Sequence, residues 1–179
     1  MRRKLNLEQV AIVHDILTIK KKDPSKLVCL FLTRGIRIGK SLTSLAIFQF
    51  ILRLYSNTGD CNRSHLKGII ASYRGKVAFN VGGVALHFVF NMPFNKEMYL
   101  SLNSDKLYTL TKHYHELRVL VIDEASLVGA TFFYHFDTFL WQIKHTPTTP
   151  FGYIDIIFSG DLYQAQPVKD GWIFEHPFL

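Results

Sequence analysis

The sequence of 179 residues predicts an α/β fold, a parallel β-sheet flanked by helices on both faces. Two observations support this fold class. Short apolar runs typical of buried strands alternate along the chain with segments whose apolar residues repeat at helical spacing. Three of the apolar runs lead into segments whose residues suit phosphate chemistry. A hydrophobic content of 48% favours a globular chain, and we expect a single domain over residues 1–179.

The elements follow from local patterns. Asn6 is a candidate cap for a first helix, with Gln9 three residues later completing a capping box. Basic residues 20–22 suit the carboxyl end of that helix, and Pro24 stops it. The predicted strands are residues 28–32, 68–72, 119–122 and 154–158. Further helices are predicted at residues 41–54, within 76–90, after a cap at Ser104, and at 127–143.

Some side chains outside the motifs also carry expectations. Cys29 lies inside an apolar run, so we expect a small buried hydrophobe there. Residues 20–22, all lysines, are expected to form a solvated helix end rather than a DNA clamp. Four apolar residues of the last helix are expected to face the core rather than to stack on bases: Phe132, Phe136, Phe139 and Ile143.

The formal net charge of +7 suits a polyanionic partner such as nucleic acid, although an ordinary basic surface would give the same number. The basic residues at the start of the chain are not followed by the apolar core of a signal peptide. No apolar run is long enough to predict a membrane span. The expected location is therefore cytoplasmic or nuclear.

The first phosphate-related segment, residues 33–41, ends in Gly39-Lys40-Ser41 and precedes a predicted helix. Gly39 allows close backbone approach to a phosphate, Lys40 can neutralise the β- and γ-phosphates, and the Ser41 hydroxyl suits Mg²⁺. The usual glycine five positions before Gly39 is replaced by Arg34, and the adjacent Gly35 can partly substitute for it. A coincidental Gly-Lys-Ser is the alternative interpretation.

The other two segments follow predicted strands and supply acidic and amide groups. Asp123 at a strand end can hold Mg²⁺ through water, and Glu124 can orient or deprotonate the attacking water. Gln164, at the end of the segment of residues 158–164, can hydrogen-bond the γ-phosphate or the attacking water. Taken singly, the alternatives are a surface acidic pair and a capped turn. Together the three segments predict nucleoside-triphosphate hydrolysis.

In this order the segments resemble the PIF-type (petite integration frequency) DNA helicases, including helicase regions carried by Helitron-like transposons. The resemblance runs from about Leu5 to Phe174. Gln9 matches the glutamine of the family's adenine-recognising segment. Residues 75–87 resemble its segment associated with single-stranded DNA. The remaining matches are residues 31–41, 122–126 and 160–168.

The resemblance implies a RecA-like domain of the P-loop class, the first motor half of an ATP-dependent DNA helicase with ATP and Mg²⁺ as cofactors. The implied partners are single-stranded or forked DNA and a second RecA-like domain, which we expect to be absent from this chain. The family favours a nuclear location and roles in DNA repair and recombination. The implied DNA contacts are Arg74, Lys76, His87 and Phe90, although His87 is equally well explained as a structural histidine.

A rival function belongs to a different class, a DNA-binding remnant that does not hydrolyse nucleotide. Arg34, Arg37 and Ile38 depart from the family's phosphate loop and favour this alternative. The intact Lys40 and the later acidic and amide positions argue against it. A magnesium-dependent ATP-binding titration separates the two functions.

Overall fold

The computed structural model describes residues 5–33, 39–56, 66–73, 83–90, 92 and 103–175. Five strands form one sheet in the order β1-β5-β4-β2-β3, and every pairing is parallel. The strands are β1 (Cys29–Thr33), β2 (Gly68–Ser72), β3 (Val84–Ala85), β4 (Val119–Asp123) and β5 (Asp155–Gly160). The predicted parallel sheet is therefore confirmed, and β3 is an additional short strand.

Helices cover both faces of the sheet, also as predicted. They are α1 (Leu7–Lys22), α2 (Lys40–Ser56), α3 (Leu86–Val89), α4 (Ser104–Tyr114) and α5 (Ala130–Lys144). The Asn6–Gln9 capping box at the start of α1 is present. Residues Ala125–Leu127 form a 3₁₀ turn, so α5 begins later than the pattern predicted. At α4 the capping side chain is Asn103 rather than Ser104.

Side chains alternate between the two faces of the sheet along each strand, so the core forms one cluster on each face. Val121 and Ile157 face α1 and α2, where they join a cluster with buried residues such as Ile47. Leu120, Ile122 and their neighbours face α4 and α5 in a second, larger cluster. The aromatic residues predicted for the core face of α5 lie in that second cluster: Phe132, Phe136, Phe139 and Ile143.

Two expectations about single side chains are wrong. Cys29 is exposed rather than buried, because β1 is an edge strand of the sheet that the structure describes. Lys20 is buried, with 3% of its surface exposed, although Lys21 and Lys22 are solvated as expected. The reason is an ion pair at the amino edge of the sheet, where Lys20 Nζ lies 2.8 Å from Asp155 Oδ2.

Within the described ranges, no helix combines the length and the hydropathy that a bilayer span requires.

Candidate functional site

The strand register places three polar side chains in a row at the carboxyl edge of the sheet. Ser72 of β2 pairs with Asp123 of β4, and Asp123 pairs with Ser159 of β5. Residues two positions earlier on these strands belong to the core cluster under α2, so the row lies on the same face. The amino end of α2 therefore stands over the end of β4.

Asp123 is the centre of this row, and three donors bond its carboxylate. Ser41 Oγ, from the first turn of α2, donates to Asp123 Oδ2 at 3.1 Å. Ser159 Oγ donates to Asp123 Oδ1 at 2.6 Å, and the backbone N–H of Glu124 donates to the same oxygen at 3.0 Å. The predicted partners Ser41 and Asp123 are thus brought together by the fold.

Glu124 follows Asp123 with a left-handed backbone, φ 54° and ψ 43°. A residue with a Cβ adopts this conformation at a cost, and such residues cluster at functional sites. The turn ends β4 abruptly and leads into the 3₁₀ turn at Ala125–Leu127. Glu124 is half-buried beside Asp123, which is where the sequence predicted a water-activating carboxylate.

At the entry to α2, Gly39 has a φ of 76°, a conformation that favours glycine. A Cβ on Gly39 would lie 2.8 Å from Gln9 Nε2, so the Gln9 amide would have to shift to admit a side chain there. Lys40 is the first residue of α2. The predicted phosphate ligand Gly35, and the altered positions around it, lie outside the described residues.

Gln9 connects α1 to the entry of α2. Its Nε2 donates to the Gly39 carbonyl oxygen at 3.3 Å, and its Oε1 accepts from the Asn6 N–H at 2.9 Å. A cavity of about 230 Å³ opens beside it and reaches Lys40. The cavity wall consists mainly of β1 and α1: Asn6, Glu8, Gln9, Ile12, Leu30, Phe31, Leu32, Thr33, Lys40 and Thr43.

Gln164 lies just beyond β5 and is exposed. Its Nε2 donates to Asp161 Oδ2 at 3.2 Å, and the backbone N–H of Tyr163 donates to Asp161 Oδ1 at 3.1 Å. Asp161 is itself buried, with 4% exposure. The buried carboxylate therefore fixes the turn that presents the Gln164 side chain.

Of the four predicted DNA contacts, the structure describes only His87 and Phe90, and both lie in the core. Arg74 and Lys76 lie outside the described residues. Phe90 has no exposed surface, and its ring packs 5.3 Å from the ring of Phe136. His87 is 4% exposed and packs on Phe132, and burial lowers its pKa. The prediction that His87 or Phe90 contacts a base or sugar is therefore wrong, because both side chains are enclosed in the core.

Sequence reasoning assigned no role to two supporting residues of the segment 158–164. Ser159 bonds the central carboxylate, and Asp161 holds the Gln164 amide. The available signal for Ser159 was its place directly after the apolar run 154–158, where a hydroxyl ends the run of apolar side chains. Its partner Asp123 became visible only when β4 and β5 were placed side by side.

The donor set at the end of β4 fits Mg²⁺. A hydroxyl oxygen and a carboxylate oxygen, Ser41 Oγ and Asp123 Oδ2, lie 3.1 Å apart and are hard ligands. In the described ranges no cluster of three or more His, Cys, Asp or Glu side chains forms a metal site. Mg²⁺ bound with a nucleotide needs only one or two protein carboxylates, because phosphates and waters complete its shell.

A parallel sheet with a Gly-Lys-Ser helix entry, a strand-end carboxylate and a further strand-end amide defines a RecA-like P-loop nucleoside triphosphatase fold. Within that class the chain belongs to the PIF1-like helicase family, whose sequence profile matches residues 4–172.

Individual relatives agree with this assignment. The ATP-dependent DNA helicase PIF1 of Emericella nidulans is 27% identical over 144 residues, which cover 79% of this chain and 18% of the relative. The crystal structure of Pif1 helicase from Candida albicans has a TM-score of 0.71 at 22% identity, covering 98% of this chain and 37% of that one. Pif1 from Bacteroides, in complex with ADP-AlF3 and ssDNA, has a TM-score of 0.64 at 24% identity, covering 94% of this chain and 35% of that one. The chain thus spans about a fifth of the curated relative's length.

Proposed function

We propose that this chain is the nucleotide-binding motor region of an ATP-dependent DNA helicase. ATP hydrolysis at the carboxyl edge of the sheet would drive movement along DNA and separation of its strands. The observation that carries the proposal is the hydrogen bond from Ser41 to Asp123. It joins the phosphate-loop helix to the strand-end carboxylate, which supports a site for a magnesium-bound nucleotide at this edge.

The residues have separate tasks in this proposal. Lys40 binds the β- and γ-phosphates, and Ser41 and Asp123 hold Mg²⁺, which when bound neutralises developing phosphate charge. Glu124 accepts a proton from the attacking water, and Gln164 orients that water or contacts the γ-phosphate. The catalysis is positioning and electrostatic stabilisation.

We assign the cavity beside Gln9 to the base of the nucleotide. It has a largely apolar wall and reaches Lys40, so a base seated there would place its phosphates toward α2. Both ends of the Gln9 amide already bond protein atoms. Recognition of a purine edge would therefore require Gln9 to exchange its bond to Gly39 for one to the base. Gly35 would add backbone contacts to the phosphates.

The proposed partner is single-stranded or forked DNA, supported by the DNA-bound relative and by the net charge of +7. Arg74 and Lys76 remain proposed phosphate contacts. We further propose that residues 1–179 form one RecA-like domain and that full activity requires a second such domain. The second domain would close over the nucleotide and supply an arginine. A nuclear site of action and roles in repair or recombination belong to the same proposal.

The alternative is a DNA-binding remnant that no longer hydrolyses ATP. The bulky Arg34, Arg37 and Ile38 in the phosphate loop favour it. The hydrogen bond between Ser41 and Asp123 favours the motor function.

Calorimetric titration of the folded chain with Mg-ATP tests the proposal. We expect weak binding that Lys40→Ala abolishes, because the variant loses the charge that neutralises the phosphates. Lys21→Ala is the matched control, since Lys21 is an exposed lysine in the last turn of α1, next to the Lys20–Asp155 pair at the opposite edge of the sheet. Its affinity should equal that of the wild type.

Equal Mg-ATP affinity in Lys40→Ala and the wild type would remove Lys40 from the site. An absence of Mg-ATP binding in the wild type, together with retained binding of single-stranded DNA, would favour the remnant.

A further inference from the structure

The two oxygens of Asp123 are used differently. Oδ1 accepts two hydrogen bonds inside the fold, from Ser159 Oγ at 2.6 Å and from the Glu124 N–H at 3.0 Å. Oδ2 accepts one, from Ser41 Oγ at 3.1 Å. A carboxylate oxygen has about two acceptor positions, so Oδ1 is filled and Oδ2 keeps one position open.

Ser159 makes the shorter of the two hydroxyl bonds from a rigid place. It lies in β5, has no exposed surface, and is flanked on both sides by hydrogen-bonded strands. An ionised carboxylate only accepts, so the Ser159 hydroxyl is the donor. A length of 2.6 Å is typical of a charge-assisted O–H···O⁻ bond, which is stronger than a neutral one.

We propose that Ser159 is a positioning residue for the magnesium-nucleotide complex: it holds Asp123 Oδ1 inside the fold so that Oδ2 faces Ser41 and the metal. This inference rests on the proposed nucleotide function. Ser159 itself does not touch the metal or the nucleotide. It acts by fixing the rotation of the carboxylate, which would otherwise exchange its two oxygens.

The placement of Ser159 also joins two motifs. Its strand, β5, leads within a few residues to Asp161 and Gln164. A shift at the end of β5 would therefore move the Asp123 carboxylate together with the Gln164 turn. Strand β5 therefore supports the Asp123 carboxylate through Ser159 and also leads into the turn that carries Gln164.

The chain offers a matched control on the opposite side of Asp123. Ser72 is in register with Asp123 on β2, as Ser159 is on β5, and it also has no exposed surface. Within the described part of the chain, the Ser72 hydroxyl has no hydrogen-bond partner. Ser72→Ala and Ser159→Ala therefore remove the same atom at the same height of the sheet, but only the second removes a bond to Asp123.

The experiment measures binding of the fluorescent analogue MANT-ATP by the full chain, in EDTA and then over a range of MgCl₂ concentrations. We expect Ser159→Ala to need about 10-fold more Mg²⁺, or more, to reach half of the Mg²⁺-dependent gain in MANT-ATP binding. This is the effect expected when a residue that supports a metal ligand is lost. Affinity in EDTA should stay unchanged. Ser72→Ala should match the wild type, and Ser159→Thr should recover most of the Mg²⁺ dependence.

Three results would overturn the proposal. Ser159→Ala could show the wild-type dependence of MANT-ATP binding on Mg²⁺, or Ser159→Ala and Ser72→Ala could lose MANT-ATP affinity equally. The third is a loss of MANT-ATP affinity by Ser159→Ala in EDTA as large as its loss in Mg²⁺. If Ser159→Ala does not fold by circular dichroism, Ser159→Cys replaces it, because a thiol is nearly isosteric and only a weak donor. Ser159→Cys carries the same expectations. A wild type that fails to bind MANT-ATP with Mg²⁺ would overturn the proposed nucleotide function and this inference with it.

Discussion

Helix α2 contacts a carboxylate at each of its ends, and the two carboxylates have different partners. At its amino end Ser41 donates to Asp123, which ends β4. At its carboxyl end the hydroxyl of Tyr55 donates to Asp155 Oδ2 at 3.1 Å, at the start of β5. The two acidic side chains therefore mark opposite edges of the same sheet.

The charge of Asp155 is matched inside the fold. Lys20 Nζ lies 2.8 Å from Asp155 Oδ2, and the backbone N–H of Val28 donates to Oδ1 at 2.9 Å. Lys20 also donates to the carbonyl oxygens of Pro24 and Lys26 at 3.1 and 2.7 Å. Burial nevertheless raises the pKa of the Asp155 carboxyl, against the opposing effects of these hydrogen bonds and of Lys20.

Asp123, in contrast, has only neutral donors in the described part of the chain: two hydroxyls and one backbone N–H. Neutral donors orient a carboxylate, but they leave its charge uncompensated. The Asp155 carboxylate thus has a cationic partner at the amino edge, whereas in the described residues Asp123 at the carboxyl edge has none. This difference is consistent with the proposed binding of a magnesium-bound nucleotide at the carboxyl edge.

The largest expected effect tests the amino edge. Lys20→Met leaves Asp155 buried without its cation, and breaking a buried pair in this way costs about 3–5 kcal/mol. Urea unfolding should show this loss in the free energy of unfolding. The neighbouring Lys21→Met should change it by less than about 0.5 kcal/mol, because Lys21 is exposed. Equal stability of the two variants would mean that the ion pair does not hold this edge together.

Lys20 also shows where sequence reasoning stopped. Residues 20–22 form one basic helix end in the sequence, and local spacing gives no sign that one lysine of the three is buried. Its partner Asp155 lies at the start of the last strand, so only the tertiary fold brings them together. Regular elements were predictable because apolar spacing and capping are local. The capping box at Asn6 and strands β1, β2, β4 and β5 are examples.

The candidate site likewise contains residues that local sequence patterns indicate and residues that only the tertiary fold reveals. The Gly39-Lys40-Ser41 entry and Asp123 were predictable because phosphate chemistry restricts residue types at fixed places. Ser159 was not, because a serine in an apolar strand gains a role only from its neighbour in the sheet. His87 and Phe90 were assigned to DNA from their segment, but packing against α5 encloses both.

The next effect concerns backbone strain at the carboxyl edge. Glu124 has a φ of 54°, which costs a residue with a Cβ about 1–2 kcal/mol. Glu124→Gly should therefore be more stable to urea than Glu124→Ala by about 1 kcal/mol, since glycine's greater freedom in the unfolded chain offsets part of the relief. Both variants lack the carboxylate, so the difference reports the backbone alone. Greater stability of the alanine variant would mean that no strain is stored here.

The smallest effect concerns Lys144, a half-buried lysine at the amino edge, where Lys20 is buried. Lys144, in the last turn of α5, donates to the carbonyl oxygens of His115 and Leu117, the second at 3.2 Å. Burial, and secondarily the charge of Arg118, lower the pKa of Lys144 from 10.5 to about 8, and Glu116 opposes the shift. Lys20 has a carboxylate partner at 2.8 Å, whereas these acceptors are uncharged.

This lowered pKa makes stability depend on pH with a definite sign. Below pH 8 Lys144 is protonated in the folded and unfolded chains, so its contribution is constant. Between about 8 and 10.5 the unfolded chain binds more protons, and the free energy of unfolding rises with pH. Allowing for solvent screening at a half-buried site, we expect a rise of about 0.5–1 kcal/mol between roughly pH 8 and 9.5. Urea unfolding of the wild type and Lys144→Met over this range measures it. The wild-type curve should climb relative to that of the variant, and parallel curves would mean that Lys144 keeps its ordinary pKa in the folded chain.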